Sequence, residues 1–306
     1  MSYYVTRKVK LGEGENVSVA ALNFNFNYLR VFEPSIEEVQ SAEFILAGGR
    51  DKKRVAVLQE EAGARLEFDV VGFKPFEWAL GSISSTVPIT VVPGATLSWL
   101  TVGRELEPSE TSNDVLRIFG CKVDSFEFTI ERGEVATGEL TLMGKGGTVE
   151  AGNLSVSVDY DKDPIYYSDV DVVVGSTTIS DLARVVVTID NNLARRLSAS
   201  TSAGYQAYHI LEGGLDVTGR LLIGSPALTF LEKVKGRAGG NNLEIRINKT
   251  HGGNLSGTIV MPNVWFTEYP ERLRGIEPYE VEVPFVALPS GSEPAIKVIC
   301  SALTPF

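Results

Sequence analysis

The sequence predicts a mainly β protein built as two tandem β domains, residues 1–155 and 156–306. Three observations predict this. Apolar and polar residues alternate with a period of two along most of the chain, helical signals are few, and three segments recur in order in the second half.

The strands come first. In "ALNFNFNY" Leu22, Phe24, Phe26 and Tyr28 face one way and Asn23, Asn25 and Asn27 the other. In "SFEFTIE" Phe126, Phe128 and Ile130 oppose Glu127, Thr129 and Glu131. "RVVVTID" places Val185, Val187 and Ile189 on one face, "LEIRIN" does the same with Leu243, Ile245 and Ile247, and "YEVEVPF" sets Val281, Val283 and Phe285 against Glu280 and Glu282. Such strands bury one face and wet the other, as antiparallel sheets do. Two short helices are predicted. In "GSPALTFLEKVKG" Ser225 is the N-cap, Pro226 the first helical residue, Leu228, Leu231 and Val234 the apolar face, and Gly236 the end. In "PSIEEVQ" Ser35 and Glu38 form a capping box.

The repeat is carried by "IFGCKVDSFEFTIERGEVATGELTLMG" (Ile118 to Gly144) and "IVMPNVWFTEYPERLRGIEPYEVEVPFVAL" (Ile259 to Leu288). Val123 matches Val264 at an offset of 141 residues. Upstream, "LSWLTVG" from Leu97 matches "LEIRINK" from Leu243 at 146, and Gly72 matches Gly224 at 152. The offset changes steadily, as loop-length differences between two copies would cause. The helix from Pro226 is therefore expected to overlay the stretch from Pro75. The join lies near "GKGGTVEAGNLSVSVDYDKDPIYYSD", where Gly, Asp and Pro cluster.

Composition excludes several classes of function. The chain has 306 residues, 43% hydrophobic and 22% charged, which is globular. No run approaches eighteen apolar residues, so no membrane span is expected, and the start "MSYYVTRKVKLGEG" lacks the apolar core of a signal peptide. Residues 1–153 carry 15 Lys and Arg against 22 Asp and Glu, and residues 154–306 carry 13 against 17, so the halves are −7 and −4. The densest basic run, "RDKKR" from Arg50, is a solvated turn, and no basic stripe is present to grip phosphates.

No catalytic, cofactor or metal site is predicted. The two histidines, His209 and His251, are too few for a triad or a multi-histidine metal centre, and "HGGN" at His251 lacks the G-x-S-x-G elbow that an esterase needs. Asp159, Asp161 and Asp163 have the spacing of the first calcium-loop ligands, but Pro164 replaces the required glycine and no glutamate closes the loop. "LMGKGGT" has Gly where a phosphate loop needs Ser or Thr after Lys145. Trp78, Trp99 and Trp265 sit in apolar patterns and are expected in the core. Cys121 and Cys300 are expected to be reduced thiols. The sequons at Asn16, Asn153, Asn248 and Asn254 carry little weight without an export signal.

An absence of chemistry in a tandem β chain points to assembly, because three two-domain chains can imitate a hexamer. The chain resembles the two-domain tail tube proteins of long-tailed phages and their archaeal relatives. The residues that carry the resemblance are "IFGCKVDSFEFTIERGEVATGELTLMGK", "ISDLARVVVTIDNNL" (Ile179 to Leu193), "GLDVTGRLLI" and "MPNVWFTEYPERL…YEVEVPFVAL". It covers most of residues 118–288, and the repeat extends it back to about residue 63. It implies a β-sandwich or barrel in each domain, with a flanking helix and long hairpins. It also implies trimeric, pseudo-hexameric rings stacked into a hollow tube in the virion tail. The partners would be further copies, a tape measure protein, a terminator and baseplate or tip proteins. Viral DNA would pass through the lumen without specific binding, and assembly would occur in the host cytoplasm. The segment 144–165 and the loop before Trp99 are long enough to be expected to reach a neighbouring ring.

Three other readings are separable. A carbohydrate-binding β-sandwich would stay monomeric. A jelly-roll glycosidase would need two acids about 5–9.5 Å apart in a pocket. A contractile-injection tube is usually built from one domain per chain, against the repeat here.

Overall fold

The computed structural model describes residues 8–26, 28–43, 54–84, 86–106, 114–154, 163–197, 207–224, 241–249, 255–267 and 280–301. In the first half the strands are β1 (Val9–Glu13), β2 (Phe24–Asn25), β3 (Leu29–Glu43), β4 (Arg54–Asp69), β5 (Gly81–Ile83), β6 (Ile89–Pro93), β7 (Leu100–Glu105), β8 (Asp114–Glu131), β9 (Thr137–Gly144) and β10 (Gly146–Ala151). In the second half they are β11 (Val170–Val174), β12 (Thr177–Thr178), β13 (Leu182–Asp190), β14 (Ala194–Leu197), β15 (Ala207–Leu211), β16 (Asp216–Ile223), β17 (Asn241–Lys249), β18 (Leu255–Phe266), β19 (Val281–Ala287) and β20 (Lys297–Cys300). The one α-helix among the described residues, α1 (Lys74–Leu80), follows β4. The fold is mainly β, with large antiparallel sheets, as the alternation predicts.

Each half is two packed sheets. In the first, β1, β7, the N-terminal part of β8 and β10 form one sheet, with β2 on β1. The C-terminal part of β8, with β9, β4 and β3, forms the other. The strand β8 changes sheets at Gly120, whose φ of +59° is the left-handed conformation that glycine adopts without penalty. The alternating apolar residues meet between the sheets: Leu11, Val102 and Ile118 from one side, Leu66, Phe126, Phe128 and Leu140 from the other, all fully buried. Phe76 of α1 closes this core, its ring 4.9 Å from that of Phe126 and 5.3 Å from that of Phe128. Most of the buried apolar residues form one continuous cluster running through both halves, with Leu22, Val115 and Leu154 in a small separate one.

The helix α1 is short and held by its surroundings. Pro75 lies in its first turn, and Gly81 (φ +87°) ends it, donating its N–H to the carbonyl of Glu77. A Cβ on Gly81 would stand 2.5 Å from the carbonyl oxygen of Thr96. Gly81→Ala is therefore expected to lower unfolding free energy by about 2 kcal/mol, read from denaturant melts, through strain and a backbone clash. An unchanged midpoint would show that the turn relaxes freely.

One expectation is corrected. "PSIEEVQ" is not helical but the middle of β3, with Pro34 opposite Ala64, Ser35 opposite Gly63 and Val39 opposite Gln59. A capping box satisfies two backbone donors locally. Here an antiparallel ladder runs from Leu29 opposite Phe68 to Glu43 opposite Arg54, and it outcompetes a helix too short to be stable alone. Pro34 is tolerated because β3 is outermost, paired only with β4 among the described residues. The helix predicted from Pro226 lies outside the described residues.

Candidate assembly interface

The two halves are joined edge to edge. After leaving the first sheet, β8 pairs with β9 on one side and with β13 on the other, so β8 is shared between the halves. Seven consecutive pairs run from Ser125 opposite Asp190 to Glu131 opposite Arg184. The result is one continuous sheet in the order β3, β4, β9, β8, β13, β16, β19, with the end of β18 beyond.

Polar groups fix this junction at its end. The N–H of Asn191 donates to the carbonyl of Asp124 (2.8 Å), and its buried side-chain amide donates to the carbonyls of Ala79 and Val123, both at 3.0 Å. The N–H of Leu193 donates to the Asp124 carboxylate at 3.0 Å. Burial pushes the Asp124 carboxyl above the usual range, the Leu193 hydrogen bond opposes this, and Asp190 adds to it.

The β14–β15 hairpin of the second half then lies on the first. The Arg195 guanidinium donates to the carbonyls of Ala62 (2.8 Å) and Gly144 (3.3 Å). The ammonium of Lys122, its side chain 3% exposed, pairs with Glu212 just beyond β15. It also stands 4.2 Å from the centroid of the Trp99 ring, with the Lys145 ammonium 4.6 Å from that centroid and the His209 ring 5.7 Å away. Burial alone would raise the Glu212 carboxyl. The hydrogen bonds from Lys122 and from the Leu97 N–H reverse this and hold it below the usual carboxylate range.

A third tie runs the other way. β6, hairpinned with β5, pairs with β20: Val91 opposite Val298, Thr90 opposite Ile299, Ile89 opposite Cys300. The loop before Trp99 is thus used inside the chain, as is part of 144–165, where β10 pairs with β8.

The residues singled out in the sequence scatter through this frame. His209 sits on β15 against Trp99, while His251, Asp159 and Asp161 lie outside the described residues; Asp163 is described, in the approach to β11. Cys121 and Cys300 are both buried, and burial pushes the Cys121 thiol up to about 12. Trp78 is fully buried and donates to Glu13 at 2.8 Å, in keeping with a core role. Trp265 departs from it: 44% exposed, it stands on the wet face of β18, opposite Val286. Sequence reasoning missed Asn191, Arg195, Lys122 and Glu212. Their importance comes from hydrogen-bond partners 51 to 134 residues away, and the only local signal is Lys122 at a strand position between buried Cys121 and Val123. Among the described residues, no helix is long and apolar enough to cross a membrane.

Compared with known families, residues 10–285 match that of the phage tail tube protein. The chain belongs to the phage tail tube protein family. No curated protein matches it at a comparable level. The match covers both halves and the whole β8–β13 junction. Membership makes it a structural protein of the virion tail, one that assembles with copies of itself and with other tail components.

Proposed function

We propose that this tail tube protein forms trimeric rings of six similar units, stacked into a hollow tube through which viral DNA passes into the host. The observation that carries the reading is the join within the chain: the edge of one sheet is completed by the next half, while β3 at the far end pairs with no further strand among the described residues. An open edge of that length invites pairing, and closure into a ring removes it.

The reading rests on two copies of one domain, which the strand pairings support. In the first half β1 pairs β2 and β7, β7 pairs β8, β8 pairs β9 and β10, and β4 pairs β3 and β9. In the second, β11 pairs β12 and β17, β17 pairs β18, β18 pairs β19 and β20, and β16 pairs β13 and β19. Ile118 lies between Val102 and Gly147, and Ile259 between Ile245 and Val298. These registers set Val102 against Ile245, three residues from the sequence alignment that set Leu97 against Leu243.

The wet face of the continuous sheet would be the lumen wall. It carries Glu33, Glu67, Glu127, Glu139, Asp190, Asp216 and Glu282 against Arg65, Arg184 and Arg220. Glu67, Glu139 and Glu127 stand directly opposite one another on adjacent strands. Arg65 offsets part of this repulsion, donating to Glu139 at 2.6 and 2.8 Å and to Glu33 at 3.2 Å. A duplex carries about one charge per 1.7 Å, so an acidic wall lets it slide where a basic one would hold it. A tape measure, a terminator and a baseplate or tip would complete the tail, assembled in the host cytoplasm. Purified protein at high concentration is expected to show rings and tubes by negative-stain microscopy, with trimers in solution. A chain that stays monomeric would overturn the reading.

A further inference from the structure

The β14–β15 ribbon has a seat on the first half, and the registers identify its counterpart. Val123 lies opposite Leu142, Leu142 opposite Ala64, and Ala64 opposite Pro34. In the second half Val264 lies opposite Ala287, Ala287 opposite Val217, and Val217 opposite Ile189. Setting Val123 on Val264 therefore sets Pro34 on Ile189, 155 residues on, and Ala64 on Val217, 153 residues on. The same two offsets carry Gln40 to Arg195 and Val57 to Ile210, and each half pairs these two residues with each other. The outer part of the β3–β4 hairpin is thus the counterpart of β14–β15. Each ribbon reaches this register with one extra residue on its second strand, an irregularity that bends a ribbon.

The β14–β15 ribbon is seated by three groups of the first half: the carbonyls of Ala62 and Gly144, which accept from Arg195, and Lys122, which pairs with Glu212. The same offsets place the counterparts of these groups at Leu215, Pro289 and Asn263. That end of the second half is open among the described residues: Leu288 is 43% exposed and Pro289 is exposed. The counterparts of Arg195 and Glu212 are Gln40 and Gln59. Both charges of the ion pair are therefore replaced together, Lys122 by Asn263 and Glu212 by Gln59, so neither side keeps a lone charge. Meanwhile β9 stops at Gly144, opposite Ala62, and the pairs from Glu37 opposite Glu61 outward have no third strand among the described residues. A two-stranded ribbon is marginally stable by itself.

We infer that the outer β3–β4 ribbon of a second copy lies across the end of β18 and β19, with Gln40 donating to the carbonyls of Leu215 and Pro289 and Gln59 meeting Asn263. This rests on the ring reading above, in which the second half of one chain is followed by the first half of the next. An amide offers two N–H donors, enough for the two carbonyls that Arg195 serves within the chain. The Asn263 amide donates to Pro289 at 3.4 Å, so its oxygen is the group that accepts from Gln59. Joints within chains are then charged, and joints between chains are neutral.

The test copies the internal joint onto the external one. Gln59→Glu with Asn263→Lys, in the full chain, recreates the Lys122–Glu212 pair between copies. Zero-length carbodiimide coupling of a mixture of isotopically light and heavy chains is expected to join positions 59 and 263 of different chains, read by mass spectrometry, with covalent trimers as the closed product. Separately, Gln40→Glu puts a carboxylate against two carbonyls near neutral pH. It is expected to raise the concentration at which rings form at least tenfold, by analytical ultracentrifugation, with unchanged circular dichroism. Gln40→Arg, which restores the chemistry of Arg195, should assemble at the wild-type concentration or below. A wild-type chain that never associates overturns both this inference and the ring reading. Rings without the link between positions 59 and 263, a link formed only within single chains, or rings of Q40E at the wild-type concentration overturn this inference alone. So does a Q40E chain that unfolds, since Gln40 would then serve the fold of the single chain.

Discussion

Thr129→Pro yields a chain whose halves no longer share a sheet and which forms no tubes. Thr129 is mid-strand in β8, opposite Thr137 of β9 and opposite Val186 of β13, so its backbone is enclosed by strands on both sides. Proline removes one ladder donor and brings its ring into the space of a neighbouring strand, a change that centre strands do not accept. Leaving the facing acceptor buried and unsatisfied costs about 1–3 kcal/mol, and the ring clash adds to it. The loss falls on the strand that carries Phe126 and Phe128 against Phe76. Denaturant unfolding should show a lower midpoint or two separated transitions, and negative-stain images should show no tubes. Wild-type unfolding together with intact tubes would mean that β8 does not hold the halves together.

Lys122→Met is the second large effect. It leaves Glu212 without its ammonium partner and takes one of two cations from the Trp99 ring. Breaking a buried pair on one side costs about 3–5 kcal/mol, because the remaining charge keeps its desolvation penalty. Glu212 retains the Leu97 N–H and is partly solvated, which places the expected loss near the lower end, about 3 kcal/mol. The same pair sets a pH dependence. Glu212 is held below its unfolded value, so its contribution is present above the ordinary carboxylate range and is lost as pH falls through the lowered folded value. The wild-type chain should therefore lose stability in acid across that window, and the K122M chain should lose less. Parallel pH profiles for the two would show that the pair does not bind the hairpin to the first half.

Much of this molecule is legible in its residues. Alternation marks which side chains of "SFEFTIE", "RVVVTID" and "YEVEVPF" go inward, because a strand's facing repeats every two residues whatever its neighbour. The inward residues Phe126, Val187 and Val283 are indeed fully buried. The segments Ile118–Val123 and Ile259–Val264, alike in sequence, lie in β8 and β18. The likeness to tail tube proteins is legible in the same stretches.

What a strand pairs with is a different matter. A ladder bond joins backbone groups that carry no side-chain identity, and its partner can lie a hundred residues away. Hence the capping box of Ser35 and Glu38 says helix, while β4 makes the segment a strand. Hence nothing local says that Phe126–Ile130 is completed by β13, that β6 finishes the sheet at β20, or that Lys122 is neutralised by Glu212. Trp265 shows the same limit from the other side. Its neighbours are apolar, as a core residue's would be, and only the placement of β18 at the end of the continuous sheet leaves it facing solvent. The sequence by itself determined which residues turn inward; the tertiary structure decided how the two halves share an edge, because pairing is settled by the backbone groups that packing brings together.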